Sequence, residues 1–314
     1  MLKIFSLEDG RLVLAPSSTA DDLARAIWID LINPTPAEIQ TVEQFSKLEL
    51  PNIQETEEIE ASSHYEVYPH GLQINCSFLH QVNGYFSITN VAFLFNNNCL
   101  ISICAREVSL LRQLQERAQA NREVIIDPLS TIIALIEDKI EKLADLSEEA
   151  HLAIDKISRQ TFNRENVVLE EVIDNLSRQD DLNGKIRLCL MDGQRDLNFL
   201  FRRGRLAEAN INIANDILED IKTLLSHNTF LSERLDFLLN AALGFINIEQ
   251  NKIIKIFSIV AVVFMPPTVI ASIFGMNFHY MPELSWTWGY PLSLVSMMVA
   301  GLAPYVYFKR KGWL

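Results

Sequence analysis

Two long apolar runs near the C-terminal end constrain this chain more than any other feature. The first, Ile256 to Phe274, has 19 residues without a charged side chain, and the second, Gly289 to Phe308, has 20. A helix rises about 1.5 Å per residue, so each run is long enough to cross about 30 Å of hydrocarbon. Only the 14 residues 275–288 separate them. The sequence therefore predicts a two-helix membrane hairpin attached to a large polar domain.

Flanking charges predict the orientation of the hairpin. Lys252 and Lys255 precede the first run and three basic residues, 309–311, follow the second, whereas the connecting loop carries one formal charge, Glu283, besides His279. The positive-inside rule then places both termini in the cytoplasm and the loop outside. The N-terminal residues lack the apolar core of a signal peptide, so we expect the hairpin itself to direct insertion into the inner (plasma) membrane as a multi-pass protein.

The polar part of the chain divides into an α/β half and a helical half. Turn residues 8–10 between two apolar strands predict a hairpin, Thr35-Pro36-Ala37-Glu38 predicts a capped helix to about Leu48, and residues 72–104 predict a three-stranded meander. From Glu107 onward the pattern is helical. We predict an α+β membrane protein with three parts: an α/β cytoplasmic domain over 1–107, a helical cytoplasmic region and stalk over 108–252, and the transmembrane hairpin over 253–314.

Composition excludes several classes of function. The net charge of −13 argues against nucleic acid, and against anionic lipid as the main partner of the polar domain. The four cysteines show no metal-ligand spacing, which favours reduced structural thiols. The chain has no P-loop, GxSxG or HExxH motif and no convincing catalytic carboxylate pair, so we expect neither an enzyme nor a bound cofactor.

Small and polar side chains recur on one side of the first apolar run. They form a single stripe when the run is drawn as a helix: Asn251, Ile254, Ser258, Ala261, Met265, Thr268 and Ser272. In lipid such residues face another helix or an aqueous path, and the pattern alone leaves both possibilities open. Pro266-Pro267 removes two backbone donors within the run, so the freed carbonyls need a neighbouring helix or water.

Acidic residues concentrate in the helical half. Between Glu137 and Asp181 there are 13 acidic and 6 basic residues. Most of these carboxylates are expected on a solvated helical face. The alternative is that they hold divalent cations near the inner mouth of a pore, since a bound cation relieves their mutual repulsion.

Several motifs resemble one family closely. Gly275-Met276-Asn277, followed by Met281-Pro282-Glu283-Leu284 and the basic end 309–314, resembles the CorA family of magnesium transporters. Gly289-Tyr290-Pro291 and the stretches 247–251 and 187–192 resemble the same family. The likeness is close over residues 187–314, whereas the α/β half matches by layout.

The resemblance implies a homopentamer that moves hydrated Mg²⁺, with Co²⁺ and Ni²⁺ as further substrates, into the cytoplasm along the membrane potential. Its first-run helices would line the pore through the seven stripe residues, and Gly275, Met276 and Asn277 would form the selectivity filter. A ring of neutral oxygens suits Mg²⁺, which gives up its hydration water reluctantly. Divalent metal ions, the lipid bilayer and copies of this chain are the implied partners.

The resemblance also implies closure by intracellular Mg²⁺ bound at acidic residues between neighbouring subunits. Asp216 falls at the position of one such aspartate, and Glu219 and Asp220 lie beside it. One residue departs from the family pattern: His279 stands where glutamate is usual, which leaves Glu283 as the formal anion of the outer loop.

Two other functions stay open at this stage. A zinc transporter of the same superfamily would share the Gly-Met-Asn motif, although a lone loop histidine is a poor zinc site, since zinc takes three or four N or S ligands. A membrane-tethered scaffold or signalling protein would need no pore. Ion flux into proteoliposomes separates all three possibilities.

Overall fold

The computed structural model describes residues 1–16, 19–51, 65–69, 71–82, 84–96, 98–121, 125, 127–163, 168–204, 206–279 and 281–312. The last two residues of the basic C-terminal motif and the side chain of Glu283 lie outside this description. The chain divides into two compact units, Met1–Leu239, which we call the head, and Asn240–Leu314, which we call the hairpin unit.

A seven-stranded mixed sheet forms the core of the head. Its strands, in chain order, are β1 Leu2–Glu8, β2 Arg11–Leu14, β3 Ala26–Ile32, β4 Tyr65–Tyr68, β5 Gly71–Val82, β6 Tyr85–Phe95 and β7 Leu100–Cys104. Their order across the sheet is β2-β1-β3-β7-β6-β5-β4. Only the β3–β7 pair is parallel, so the chain must cross over between these two strands, and every other neighbouring pair is antiparallel.

Seven α-helices accompany the sheet in the described residues. They are α1 Ala20–Ala24, α2 Pro36–Ser46, α3 Ser109–Ala120, α4 Pro128–Phe162, α5 Leu169–Arg203, α6 Glu208–Phe274 and α7 Gly289–Arg310. The predicted strands and the long helical half are confirmed, as is the capping box: Thr35 N–H donates to Glu38 Oε2 at 2.7 Å, and Glu38 N–H donates to Thr35 Oγ1 at 3.3 Å. The sequence did not reveal α1 and β4.

Both faces of the central strand β3 are covered. Ile29 and Leu31 pack with Val42 of α2 in one apolar cluster. On the other face Ser102 Oγ donates to Asp30 Oδ1 at 2.7 Å, and Gln115 Nε2 of α3 donates to Asp30 Oδ2 at 3.0 Å. Burial raises the pKa of Asp30, and these two hydrogen bonds oppose that shift. The head therefore has helices on both sides of its sheet.

A buried ionic network connects the long helices to the sheet. Lys139 Nζ of α4 lies 3.0 Å from Asp192 Oδ2 and 3.8 Å from Asp196 Oδ2, both on α5. Ser77 N–H of β5 donates to Asp192 Oδ2 at 2.7 Å, and Tyr65 OH of β4 donates to Asp196 Oδ1 at 3.1 Å. All three charged residues are more than nine-tenths buried. The network therefore fixes α4 and α5 on the β4–β5 edge of the sheet.

Candidate ion pathway and regulatory surface

The hairpin unit contains the two helices that are long and apolar enough to cross a membrane. The best 18-residue windows of α6 and α7 have mean hydropathies of 2.2 and 1.5, and neither window is much buried within the chain. Helix α6 continues through Pro266 and Pro267 to Phe274. These are the two spans that the sequence predicts, placed on two helices of the observed structure.

One face of α6 packs on α7, and Gly301 of α7 is the point of closest approach. A Cβ on Gly301 would lie 3.3 Å from Cγ of Pro267 and 3.3 Å from the carbonyl oxygen of Val263. The half-buried residues of α6 in this region follow the same face: Ile259, Val263, Pro266, Pro267, Ile270 and Phe274. Since Pro267 cannot donate to the Val263 carbonyl, the missing side chain of Gly301 lets the α7 backbone approach an oxygen without its helical donor.

The polar stripe lies on the opposite side of α6. At 3.6 residues per turn, its seven positions centre about 170° around the helix from the face that contacts α7. All seven are exposed within the chain, and Met265 and Ile254 are 66% and 61% accessible. Packing against α7 therefore does not explain the stripe. What remains is contact with another chain or with an aqueous path.

The Gly-Met-Asn motif forms the turn that ends α6. Gly275 N–H donates to Ala271 O at 2.9 Å, and Met276 N–H donates to Ile273 O at 3.3 Å. Gly275, Met276, Asn277 and His279 are exposed. Glu283 lies in a single 3-10 turn, Pro282–Ser285, before α7. The candidate filter residues thus follow directly from the end of the helix that carries the stripe.

The head brings four of its carboxylates around one cavity. Asp216 and Asp220, one turn apart on α6, line a cavity of about 510 Å³ together with Glu137 and Glu141 of α4. Burial and the nearby charges of Asp138, Glu141 and Asp220 raise the pKa of Glu137, against the opposing effect of Arg117. Glu219 is exposed but is not among the residues that line the cavity. Sequence reasoning found Asp216 and Asp220 but not their two neighbours on α4, which fold next to them across a long stretch of chain.

These carboxylates do not form a complete metal site by themselves. Among the described residues, no three His, Cys, Asp or Glu side chains converge closely enough to hold a metal ion. Mg²⁺ keeps several of its waters and needs only one or two carboxylates, so an incomplete cluster is compatible with a hydrated ion or with ligands from a second chain.

Comparison with known proteins identifies the family. The family described as CorA-like Mg²⁺ transporter protein matches residues 24–310. The chain is 42% identical to the magnesium transport protein CorA of Pectobacterium atrosepticum and 41% identical to that of Escherichia coli K12, and each alignment covers all of both chains.

Solved structures match the fold. The complete CorA magnesium transporter of Methanocaldococcus jannaschii covers 100% of this chain, and 99% of that structure is covered in return, with a TM-score of 0.76 at 17% identity. The full-length CmaX protein matches 98% of this chain with a TM-score of 0.68 at 13% identity. The predicted α+β architecture with a C-terminal membrane hairpin is confirmed. Because the family matches nearly the whole chain and relatives above 40% identity align from end to end, this chain belongs to the CorA-like family of Mg²⁺ transporters.

Proposed function

We propose that this protein carries hydrated Mg²⁺ into the cytoplasm through a pore formed by a homopentamer. The observation that carries the proposal is the position of the polar stripe on α6, exposed on the side that faces away from α7. Copies arranged around an axis would bring these stripes together, and a lumen would supply water to hydroxyl and amide groups that lipid cannot satisfy. Thr268 Oγ1 donates to Phe264 O at 2.7 Å, which leaves its oxygen lone pairs available to such a lumen.

The filter is assigned to Gly275, Met276 and Asn277. Each chain would contribute one amide side chain and the backbone carbonyls of an exposed turn at the end of α6. A ring of neutral oxygens can hold a hydrated Mg²⁺ without removing its water, which costs less than direct coordination. The loop carries little negative charge to attract cations, because His279 is formally neutral and Glu283 is its single acid.

The membrane potential supplies the driving force in this proposal. An ion of charge +2 that enters a negative interior gains about 4.6 kcal/mol per 100 mV, from ~2.3 kcal/mol per charge. Both termini and the head then lie in the cytoplasm of the inner membrane, as the flanking basic residues predict. Co²⁺ and Ni²⁺ have the charge and hydration to follow the same path.

Regulation is assigned to the acidic surface around Asp216. Four carboxylates line one cavity and raise the pKa of Glu137 by their proximity, so a divalent cation would lower their repulsion. Glu219 extends the same acidic stretch of α6. Ligands from a neighbouring head would complete the site, and intracellular Mg²⁺ would hold the closed state.

Flux into proteoliposomes tests the proposal. With a Mg²⁺-sensitive dye inside and a negative internal potential, the wild-type chain is expected to take up Mg²⁺ and Asn277→Ala to lose uptake, because a methyl group cannot replace the amide oxygen. Asn175→Ala removes the same amide from an exposed position of α5 and is the matched control. Normal uptake by assembled Asn277→Ala protein would reject the filter. Uptake of Zn²⁺ in preference to Mg²⁺ would favour the zinc-transporter alternative.

A further inference from the structure

A cavity of about 420 Å³ lies within the hairpin unit, beside the first turns of the α6 span and the last turn of α7. Its lining is mostly apolar and includes one cation: Lys255, Ser258, Ile259, Val262, Phe308 and Gly312. Val262 is 40% exposed, so its side chain is reachable from outside the chain. Ser258 stands at the border between the cavity and the polar stripe.

The turn after α7 shapes the lower end of this cavity. Lys311 N–H donates to Tyr307 O at 3.1 Å, and Gly312 N–H donates to Lys309 O at 3.3 Å. Gly312 has φ +71°, a left-handed conformation that favours glycine and ends helices. The turn keeps the basic residues 309–311 close to the end of the cavity.

Charge around the cavity is strongly one-sided. The hairpin unit carries Lys252, Lys255 and the basic residues 309–311 near this end, against a single nearby acid, Glu249. Within the described residues, none of these five cations forms an ion pair. An apolar cavity with a cation at its wall and more cations beside it complements a molecule that has an anionic head and a hydrocarbon tail.

We propose that this cavity binds an anionic phospholipid of the inner leaflet. Its acyl chain would contact Ile259, Val262 and Phe308, while its phosphate would pair with the Lys255 ammonium. A phosphate ion without a tail would leave the apolar walls uncovered, and a zwitterionic lipid would balance the cations less well. The inference rests on the proposed membrane insertion, and it adds a specific lipid site next to the cytoplasmic end of the pore helix.

Lipid retention by the full-length protein tests the site. The protein is purified in detergent with added phosphatidylglycerol or phosphatidylcholine, and the bound lipid is counted by native mass spectrometry. We expect phosphatidylglycerol to be retained over phosphatidylcholine, and Lys255→Gln to weaken its retention about fivefold, the effect of about one basic residue at an anionic surface. Lys252→Gln removes the same charge from outside the cavity and is expected to retain the lipid.

A second pair of variants tests the apolar walls without a change of charge. Val262→Trp would fill the cavity and is expected to lose the lipid, whereas Val260→Trp, at an exposed position of α6 outside the cavity, would keep it. Equal retention of both lipids, equal effects of Lys255→Gln and Lys252→Gln, or full retention by Val262→Trp would each overturn the site. Disulfide cross-linking of Val262→Cys to a second chain would also overturn it, because a neighbouring chain would then occupy the cavity.

Mg²⁺ flux is measured separately on the same wild-type preparation. Lipid retention without flux would reject the proposed transport and leave the lipid site standing. Flux by a protein that shows no lipid preference would reject the lipid site and leave the transport proposal standing.

Discussion

Gly301 of α7 packs so closely against Pro267 of α6 that a methyl group on the glycine would lie 3.3 Å from Cγ of the proline. The same methyl group would lie 3.3 Å from the Val263 carbonyl oxygen, which Pro267 deprives of its helical donor. A glycine is thus placed where α7 must approach a backbone interruption in α6. This contact holds the α7-facing side of α6 in place and leaves the stripe side uncovered within the chain.

The first prediction compares two helical glycines of the hairpin unit. Gly301→Ala is expected to destabilise the hairpin, by about 1–3 kcal/mol if neither Pro267 nor the Val263 carbonyl can yield. Gly244→Ala is the matched control, since nothing lies within 4 Å of its added methyl group, and it is expected to stabilise α6 by about 1 kcal/mol. Thermal unfolding of both variants in detergent measures the difference, and an equal gain in stability from both would refute the close contact.

The second prediction concerns which side of α6 faces water in the assembled protein. Ser272→Cys on the stripe is expected to react with a charged, membrane-impermeant thiol reagent and to lose Mg²⁺ flux on modification. Ile270→Cys, half-buried on the α7-facing side, is the control and is expected to stay unmodified.

The native cysteines should not interfere with this experiment. All four are buried and free, as the sequence predicted, and burial raises the pKa of Cys99 to about 12 and that of Cys189 to about 11. Thiols in that state are poor nucleophiles. Equal labelling of Ser272→Cys and Ile270→Cys would show that the stripe does not line an aqueous path.

Local patterns were sufficient to predict most of the fold. The capping box at Thr35, the charge-free lengths of both spans and the alternating strands are short-range signals, and each corresponds to an observed element. Helix α1 and strand β4 are short, with five and four residues, and carry too few residues for a periodic pattern to show.

Long-range contacts could not be predicted in this way. Tyr65 OH donates to Asp196 across 131 residues, and Lys139, which stands in an acidic stretch expected to be solvated, is buried between two aspartates. The same limit applies to Glu137 and Glu141, whose proximity to Asp216 depends on how α4 packs on α6. The periodicity of a helix gives its apolar face, whereas the partner of each polar residue depends on the tertiary fold.

The third prediction follows from the unequal number of charges in the Lys139 network. Burial and the charge of Asp192 raise the pKa of Asp196 to about 8, from an ordinary value of 3.8, and Lys139 opposes the shift only in part. A neutral Asp196 leaves one ammonium facing one carboxylate. The folded head therefore favours the protonated form of Asp196, whose stabilising contribution is complete below about pH 4 and is lost as the pH rises through about 8.

Thermal unfolding of the full-length protein between pH 6 and pH 9 measures this effect. The wild-type head is expected to lose stability over that interval, whereas Asp196→Asn, which stays neutral, is expected to show a flatter profile. Asp174→Asn, in an exposed ion pair with Arg178 at 3.0 Å, is the control and is expected to leave the wild-type slope unchanged. A wild-type profile as flat as that of Asp196→Asn would contradict the assignment.

The last prediction concerns gating by the acidic cavity around Asp216. Repulsion among Asp216, Asp220, Glu137 and Glu141 is expected to favour the open state when Mg²⁺ is scarce, and bound Mg²⁺ to favour the closed state. Asp216→Lys supplies a fixed positive charge and is expected to lower the current even without internal Mg²⁺. Asp216→Ala removes one ligand and is expected to raise the Mg²⁺ concentration needed for closure. Glu148→Lys makes the same charge change at an exposed position of α4 outside the cavity. Patch-clamp current measured against internal Mg²⁺ decides, and inhibition curves that coincide for the wild type and both Asp216 variants would place the sensor elsewhere on the acidic helices.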